Sequence, residues 1–444
     1  MCPSWPPSRS TEAAREGRDA DLAVVGAGAA GLMAAIWAAR TAPPGGRVLV
    51  LDSARLLGAK ILVSGGGRCN VTHHEVDEAA FNGSTPAAIR KVLRRFEVAR
   101  TIAFFRELGV ELRREETAKL FPVTDRARTV LDALVSATHR AGVTLRHPFR
   151  VAGVARDADD FVLTSAAGEM VRAARVVLAT GGRSLPKTGS DGGGYVLAQA
   201  LGHTLTPHIF PGLVPLLVPP GHFVRALSGL SVPVTLEVRS SSGRKRAVLT
   251  GSLLCTHFGL SGPAALDISR HLIAARTEDP GARLIVRWLP EHTAESLDAA
   301  WRELGAATVG GYLGDRLPDR LARALCAQAG VDPATPGHRL SRAARRSLAV
   351  ATAEMTVPID GDRGYAFAEV TAGGVPLREL HLDTLRSRRC PGLSLCGEIC
   401  DVDGRIGGFN FQWAWASGYV AGTSVFLPTR EPALAAGPGG ASRP

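Results

Sequence analysis

Residues 21–25, DLAVV, form a short apolar run that opens directly into GAGAAG. The next segment, AAGLMAAIWAARTA, sets apolar and small residues at helical spacing, and Pro43, Pro44, Gly45 and Gly46 stop it. RVLVLD at 47–52 is a second apolar run of strand length. Two such runs with a helix between them predict a βαβ unit with buried strands.

Beyond it, GAKILVSGGGRCNVTHH reads as a glycine-rich loop. Helical periodicity is expected from about 85 to 108, ending at Gly109, and over 126–141, ending at Gly142. Short alternating runs predict strands across 149–178, with turns at Asp157–Asp160 and Ala167–Gly168, and the last run ends in RVVLATGG. Between about 203 and 288, prolines and β-branched residues dominate, as in VPVTLEVRS and RLIVRWL. Residues 291–350, rich in Ala, Leu and Arg, read helical. YAFAEVTAGGV then leads to LSLCGE and a final helix, FNFQWAWASGYVAGTSVF. This order predicts an α/β domain interrupted by an insertion: a Rossmann-like domain of 20–194 and 366–427, a β-rich insert of 195–290 and a helical insert of 291–365. A leader (1–19) and a low-complexity tail (428–444) are expected to be disordered.

Gly26, Gly28 and Gly31 make GxGxxG at the junction of the first strand and helix, with Ala29 and Ala30 opening the helix. The first glycine permits a tight turn, the second lets a pyrophosphate approach the backbone, and the third lets helix and strand pack closely. Asp52 ends the second strand, placed to accept hydrogen bonds from ribose hydroxyls and to disfavour a 2′-phosphate. The motif with both strands, the helix and the acid is far more specific than GxGxxG alone, yet it does not separate NAD from FAD.

Length and composition narrow the class. A chain of 444 residues suggests two or three domains. No apolar run reaches the ~18 residues a membrane helix needs. The N-terminus has no apolar signal-like region, so a cytoplasmic location is the default expectation. The net charge is +11, but the 52 basic residues are 47 Arg and five Lys, dispersed along the chain. That pattern favours a solvated basic surface and a small-molecule partner over nucleic acid or a membrane. The seven cysteines include no CxxC, and Cys396 and Cys400 have no His or further Cys nearby, so no metal site is expected.

GAKILVSGGGRCNVTH, VLATGGRSLPKTGSDGGGYVLAQALGH, THFGLSGPAAL, VTAGGV and CGEICDVDGRIGGFNFQWAWASG together resemble the BaiN/YhiN-type flavoprotein family, also labelled the aminoacetone oxidase family of FAD-binding enzymes. These blocks run in family order from about residue 21 to 425. The resemblance implies non-covalent FAD in a two-part Rossmann-like domain, interrupted by barrel-like and helical inserts. It places Lys60, Ser64, Gly65, Gly66, Gly67, Arg68, Cys69, Asn70 and Val151 beside the cofactor, with Thr180, Gly181 and Gly182 at its edge. Glu398, after Gly397, would hold the ribityl chain. Asp401 and Asp403 follow in the next loop, and Asp403 is counted with the cofactor set. Gly407, Gly408, Phe409 and Asn410 open the last helix, whose N-terminus would face the flavin pyrimidine. Trp413 and Trp415 read as core. His257 is a candidate acid or base, with a structural histidine as the alternative.

The implied activity is two-electron transfer between flavin and a small organic substrate, such as an unsaturated or carbonyl compound. An FAD-dependent tRNA-modifying enzyme and a flavin-binding regulatory protein without turnover are the rival readings. Residues 195–365 hold no second strand–GxGxxG–helix unit, so any NAD(P)H is expected to dock transiently at the flavin face.

Overall fold

The computed structural model describes residues 17–428. Apart from residues 17–19 and 428, the expected leader and tail lie outside the described residues. Leu22–Val25 folds as a fully buried strand, parallel to Val48–Leu51 on one side and Val176–Leu178 on the other. Thr144–Arg146 extends the sheet beyond Val48–Leu51, and Leu393–Leu395 extends it beyond Val176–Leu178, both parallel. The hairpin Leu380–His381 and Arg386–Ser387 adds an antiparallel edge. A strand from near the C-terminus thus sits two places from the first strand of the chain.

The closing helix, Phe409–Ser424, packs against the first helix, Ala29–Thr41. A Cβ at Gly418 would lie 2.6 Å from the Ala30 carbonyl oxygen, and one at Gly422 would lie 2.4 Å from that of Ala34. Glycines four apart lie one above the other on a helix, so together they clear a path for the neighbouring backbone. Buried polar groups of the closing helix are paired. Trp415 Nε1 donates to the Val71 carbonyl at 2.8 Å, and Gln412 accepts from the Thr72 and Thr101 hydroxyls while donating to Phe96.

The middle of the chain forms a seven-stranded antiparallel sheet built around Ser231–Arg239 and Lys245–Thr256. Its end strands, Met355–Val357 and Gly361–Asp362, do not pair with each other, so barrel closure is absent from the ladder of the described residues. Helix Gly262–Glu278 packs on this sheet, inside the stretch that composition marks as β-rich. Pro263 at its first turn and the Ala- and Leu-rich run behind it explain the helix. Helices Ala294–Arg302, Val309–Gly314, Asp319–Ala329 and Arg342–Ala353 follow, as the composition of 291–350 predicts. The helical stretch expected at 85–108 is two helices, Pro86–Leu93 and Val98–Glu107. The expected loop at 58–74 begins as a helix at Ala59, because Lys60, Ile61 and Leu62 propagate one before the glycines end it.

Two large hydrophobic cores result. One gathers residues of 20–201 and 375–425, and the other gathers residues of 216–359. Leu213, Leu266 and Val370 form a small third cluster, with Ile406 packed against it. Behind the edge hairpin, buried His203 Nδ1 lies 2.8 Å from Glu379 Oε2, and its Nε2 lies 2.8 Å from Ser387 Oγ. Thr204 donates to Glu379 through both backbone and hydroxyl, and Arg389 donates as well. Burial pushes the Glu379 carboxyl up, but these hydrogen bonds outweigh it and hold it at about 2. Burial holds His203 below its ordinary value despite Glu379.

Two outcomes are expected. Gly422→Val should destabilise the fold by about 1–3 kcal/mol or more, since overpacking forces helix displacement; an unchanged denaturant midpoint would exclude the close contact. Both His203 and Glu379 bind protons less readily in the folded state, so stability should fall with pH, first below about 6.5 and again from about 4.5 towards about 2. Glu379→Gln should flatten the lower window and cost about 1–3 kcal/mol at neutral pH, read by urea melts across pH.

Candidate active site

A cavity of about 770 Å³ opens along the C-terminal ends of the parallel strands, where open α/β sheets bind ligands. At one side lie the Gly26–Ala30 turn and Asp52. Gly26 has φ +103°, and a Cβ there would strike the Ala179 carbonyl at 2.5 Å. A Cβ at Gly31 would fall 1.8 Å from the Gly26 carbonyl, so this glycine serves strand–helix packing and does not line the cavity. Gly28 meets nothing within 4 Å and faces the cavity. Asp52 accepts from the Ala27 and Ala54 amides at 2.5 and 2.7 Å, so its carboxylate also fixes the turn.

The wall beyond is the Ser64–Asn70 segment. Gly65, Gly66 and Gly67 all have positive φ, and Cys69 has φ +61°. This left-handed run ends the short helix and brings Ser64, Gly65, Gly66, Arg68 and Asn70 to the cavity. The Arg68 guanidinium lies over the Phe121 ring at 4.0 Å and pairs with Glu115 at 2.6 Å. Cys69 is fully buried behind the wall, and burial pushes its thiol up to about 12, so it is no exposed thiolate.

Glu398 and Lys60 meet on the cavity floor at 2.5 Å. Ser184 Oγ is 2.8 Å from Lys60 Nζ and 2.9 Å from Glu398 Oε1, which also accepts from the Thr371 amide. Val151, Thr180, Gly181, Gly397, Gly407, Gly408 and Asn410 line the cavity as well, with Trp413 half core and half lining. The Asn410 side chain is spent on Gly404, accepting from its amide and donating to its carbonyl, each at 2.8 Å.

Several expected residues lie elsewhere. His257 is exposed at a hairpin turn, where its carbonyl accepts from Arg225, and it is not among the residues that line the cavity. Asp403 is buried against Arg270, with contacts of 2.5 and 3.0 Å, and joins the closing segment to helix Gly262–Glu278. Phe409 stacks on His73 at 4.8 Å. Gly67 does not reach the lining, and Gly182 packs against Thr371 beneath it. Sequence reading missed Arg150, Ser190 and Asp191 near Asp52, and Lys119, Leu213, Phe367 and Glu369 near the closing helix. Only Lys119 carried a signal, as one of five lysines in an arginine-rich chain.

The lining fits FAD. Helices Ala29–Thr41 and Phe409–Ser424 both begin at this cavity with glycine N-caps that offer no side chain to their first amides. Such uncapped N-termini suit a pyrophosphate and an electron-rich flavin edge. Asn70 Oδ1, Thr180 Oγ1 and Ser190 Oγ are buried in the lining without a hydrogen-bond partner, so a polar ligand would satisfy them. No metal-binding cluster occurs among the described residues, nor does a helix long and apolar enough to cross a membrane.

Comparison with known proteins places this geometry in a family. The model for the HI0933-like protein Rossmann domain matches residues 20–424. The chain is 35% identical over 409 residues to a 3-dehydro-bile acid delta(4,6)-reductase of Clostridium scindens, covering 91% of this chain and 98% of that one. It is 34% identical over 403 residues to a ribosomal RNA dihydrouridine synthase of Escherichia coli, covering 90% and 96%. A synthase of the same name from Haemophilus influenzae is 31% identical over 408 residues, covering 90% and 97%. The chain belongs to the HI0933-like family of FAD-dependent, Rossmann-fold oxidoreductases.

Proposed function

We propose that the protein reduces a carbon–carbon double bond conjugated with a carbonyl, using FAD held non-covalently along the cavity. The observation that carries this reading is one cavity spanning Asp52, the Gly28 turn, the Ser64–Gly66 wall, Glu398 and the uncapped end of the closing helix. The names of the relatives support the reaction class. A delta(4,6)-reductase of a 3-dehydro compound and a dihydrouridine synthase both saturate a double bond in conjugation with a carbonyl. When bound, FAD supplies the hydride chemistry. The protein's part is positional. Asp52 would receive ribose hydroxyls, the Gly28 turn the pyrophosphate, and Glu398, steadied by Lys60 and Ser184, the ribityl chain. The helix end at Gly407 and Gly408 would favour negative charge on the pyrimidine. Residues 20–194 and 366–427 act as the cofactor domain, and the inserted sheet and helices cover the acceptor. The electron donor is NAD(P)H, bound at the flavin face without a fold of its own.

The first acceptor class is a small enone. A uridine base in RNA is the second reading, favoured by the two relatives named as ribosomal RNA dihydrouridine synthases. Anaerobic re-oxidation of reduced holoprotein separates them. Fast re-oxidation by a steroidal dienone but not by ribosomal RNA supports the first, the converse supports the second, and failure with both sinks the reaction class.

Cofactor binding has its own test. Denatured protein should release FAD and not FMN. Gly28→Val should abolish binding, because its side chain would enter the cavity. Asp52→Ala should weaken FAD by about 1–3 kcal/mol, the usual cost of an unpaired polar group. An unchanged dissociation constant in flavin-fluorescence titrations would remove Asp52 from the site.

A further inference from the structure

Eight charged side chains line the cavity, and six of them are engaged within the protein. Asp52 accepts two amides, Lys60 pairs with Glu398, Arg68 with Glu115, and Arg150 with Asp191. Lys119 and Glu369 have no side-chain hydrogen bond and no ion pair among the described residues. Lys119 stands beside the start of the closing helix, and Glu369 lines the same cavity. Lys119 Cε lies 3.6 Å from where a Gly407 Cβ would be, and the Glu369 amide bonds to the carbonyl of Leu213. Leu213, Val370 and Ile406, all in the lining, give this end an apolar wall.

The choice of lysine is informative. Of 52 cationic residues, five are lysines, yet two of the four cationic side chains in this lining are Lys60 and Lys119. An ammonium is a compact donor that can meet a single oxygen, whereas a guanidinium is a planar fork suited to carboxylate or phosphate.

We infer that Lys119 and Glu369 are the catalytic residues on the acceptor side: Lys119 holds the carbonyl oxygen, and Glu369 delivers a proton to the carbon next to that carbonyl. The inference rests on the reaction class proposed above. When bound, two-electron-reduced FAD would supply the hydride that forms a C–H bond at the β carbon, and the displaced π pair would place negative charge on the carbonyl oxygen. Lys119 stabilises that oxyanion. The pair then returns to form a C–H bond at the α carbon with the Glu369 proton, leaving a carboxylate that solvent reprotonates. The double bond has gained two hydrogens, and a nicotinamide donor restores the flavin's two electrons.

The groups facing Glu369 are Lys60, Lys119 and Asp267. Glu369 is exposed to the open cavity; the protein packed around that opening shifts its carboxyl upwards, the two lysines pull it back, and Asp267 opposes them. The net shift is towards the acid form, the direction proton delivery requires.

The test uses FAD-loaded protein and two readouts. Titration of oxidised enzyme with 4-chlorophenol, an enolate mimic, should give a long-wavelength charge-transfer band from bound phenolate. Lys119→Met should weaken phenolate binding at least about 10-fold, and Lys119→Arg should restore it in part. Re-oxidation of reduced enzyme by a dienone should fall about 10²–10⁴-fold in Glu369→Gln, with loss of the alkaline limb of its pH profile, and recover partly in Glu369→Asp. Flavin content and Tm confirm that the variants fold. Wild-type re-oxidation by the dienone with both variants unchanged overturns the assignment alone. If the wild type is re-oxidised by no conjugated acceptor, the reaction class fails and the assignment with it.

Discussion

The close approach of the closing helix to the first helix is the contact on which the site depends. Gly418 and Gly422 remove the side chains that would hold the two backbones apart, and the carbonyls of Ala30 and Ala34 occupy the space. That contact fixes where both helices begin. Their N-termini, at Gly28 and Gly408, then open onto one cavity, although 380 residues of sequence separate them. A gap of a few ångströms here would leave two unrelated helix ends instead of two donors facing one elongated ligand.

Polar crosslinks carry the same arrangement across the floor. Glu398 comes from the C-terminal segment, Lys60 and Ser184 from the N-terminal one, and Thr371 from the strand that returns from the insert. Removing Lys60 or Glu398 would leave the other's partly buried charge without its counter-ion. Asp403 and Arg270 do the equivalent between the closing segment and the inserted helix. The insert is thus tied by an ion pair to the segment that precedes the closing helix.

The family relationship and the cavity bear on different questions. The family identifies the chain as an FAD-dependent reductase. The relatives' names describe acceptors of very different size, so the family alone does not choose between them. On the proposed reading, the choice rests on the end of the cavity where Leu213, Val370 and Ile406, with Lys119 and Glu369, line the space.

Much of this was legible in the chain. The first βαβ unit, GxGxxG and Asp52 are local: each depends on residues within one supersecondary unit, so pattern and spacing suffice. Motif resemblance points to Ser64, Gly65, Gly66, Arg68, Asn70 and Glu398, which line the cavity, and to Gly67 and Cys69, which do not. His257 and Asp403 lie off the cavity lining, and residue type alone does not reveal that. An exposed turn and a buried ion pair look alike in sequence until the neighbours are known. Lys119 and Glu369 sit on segments that look ordinary and lie 250 residues apart. Only tertiary packing brings them to one wall, because side chains that face a shared space without touching each other leave no periodicity or spacing to read.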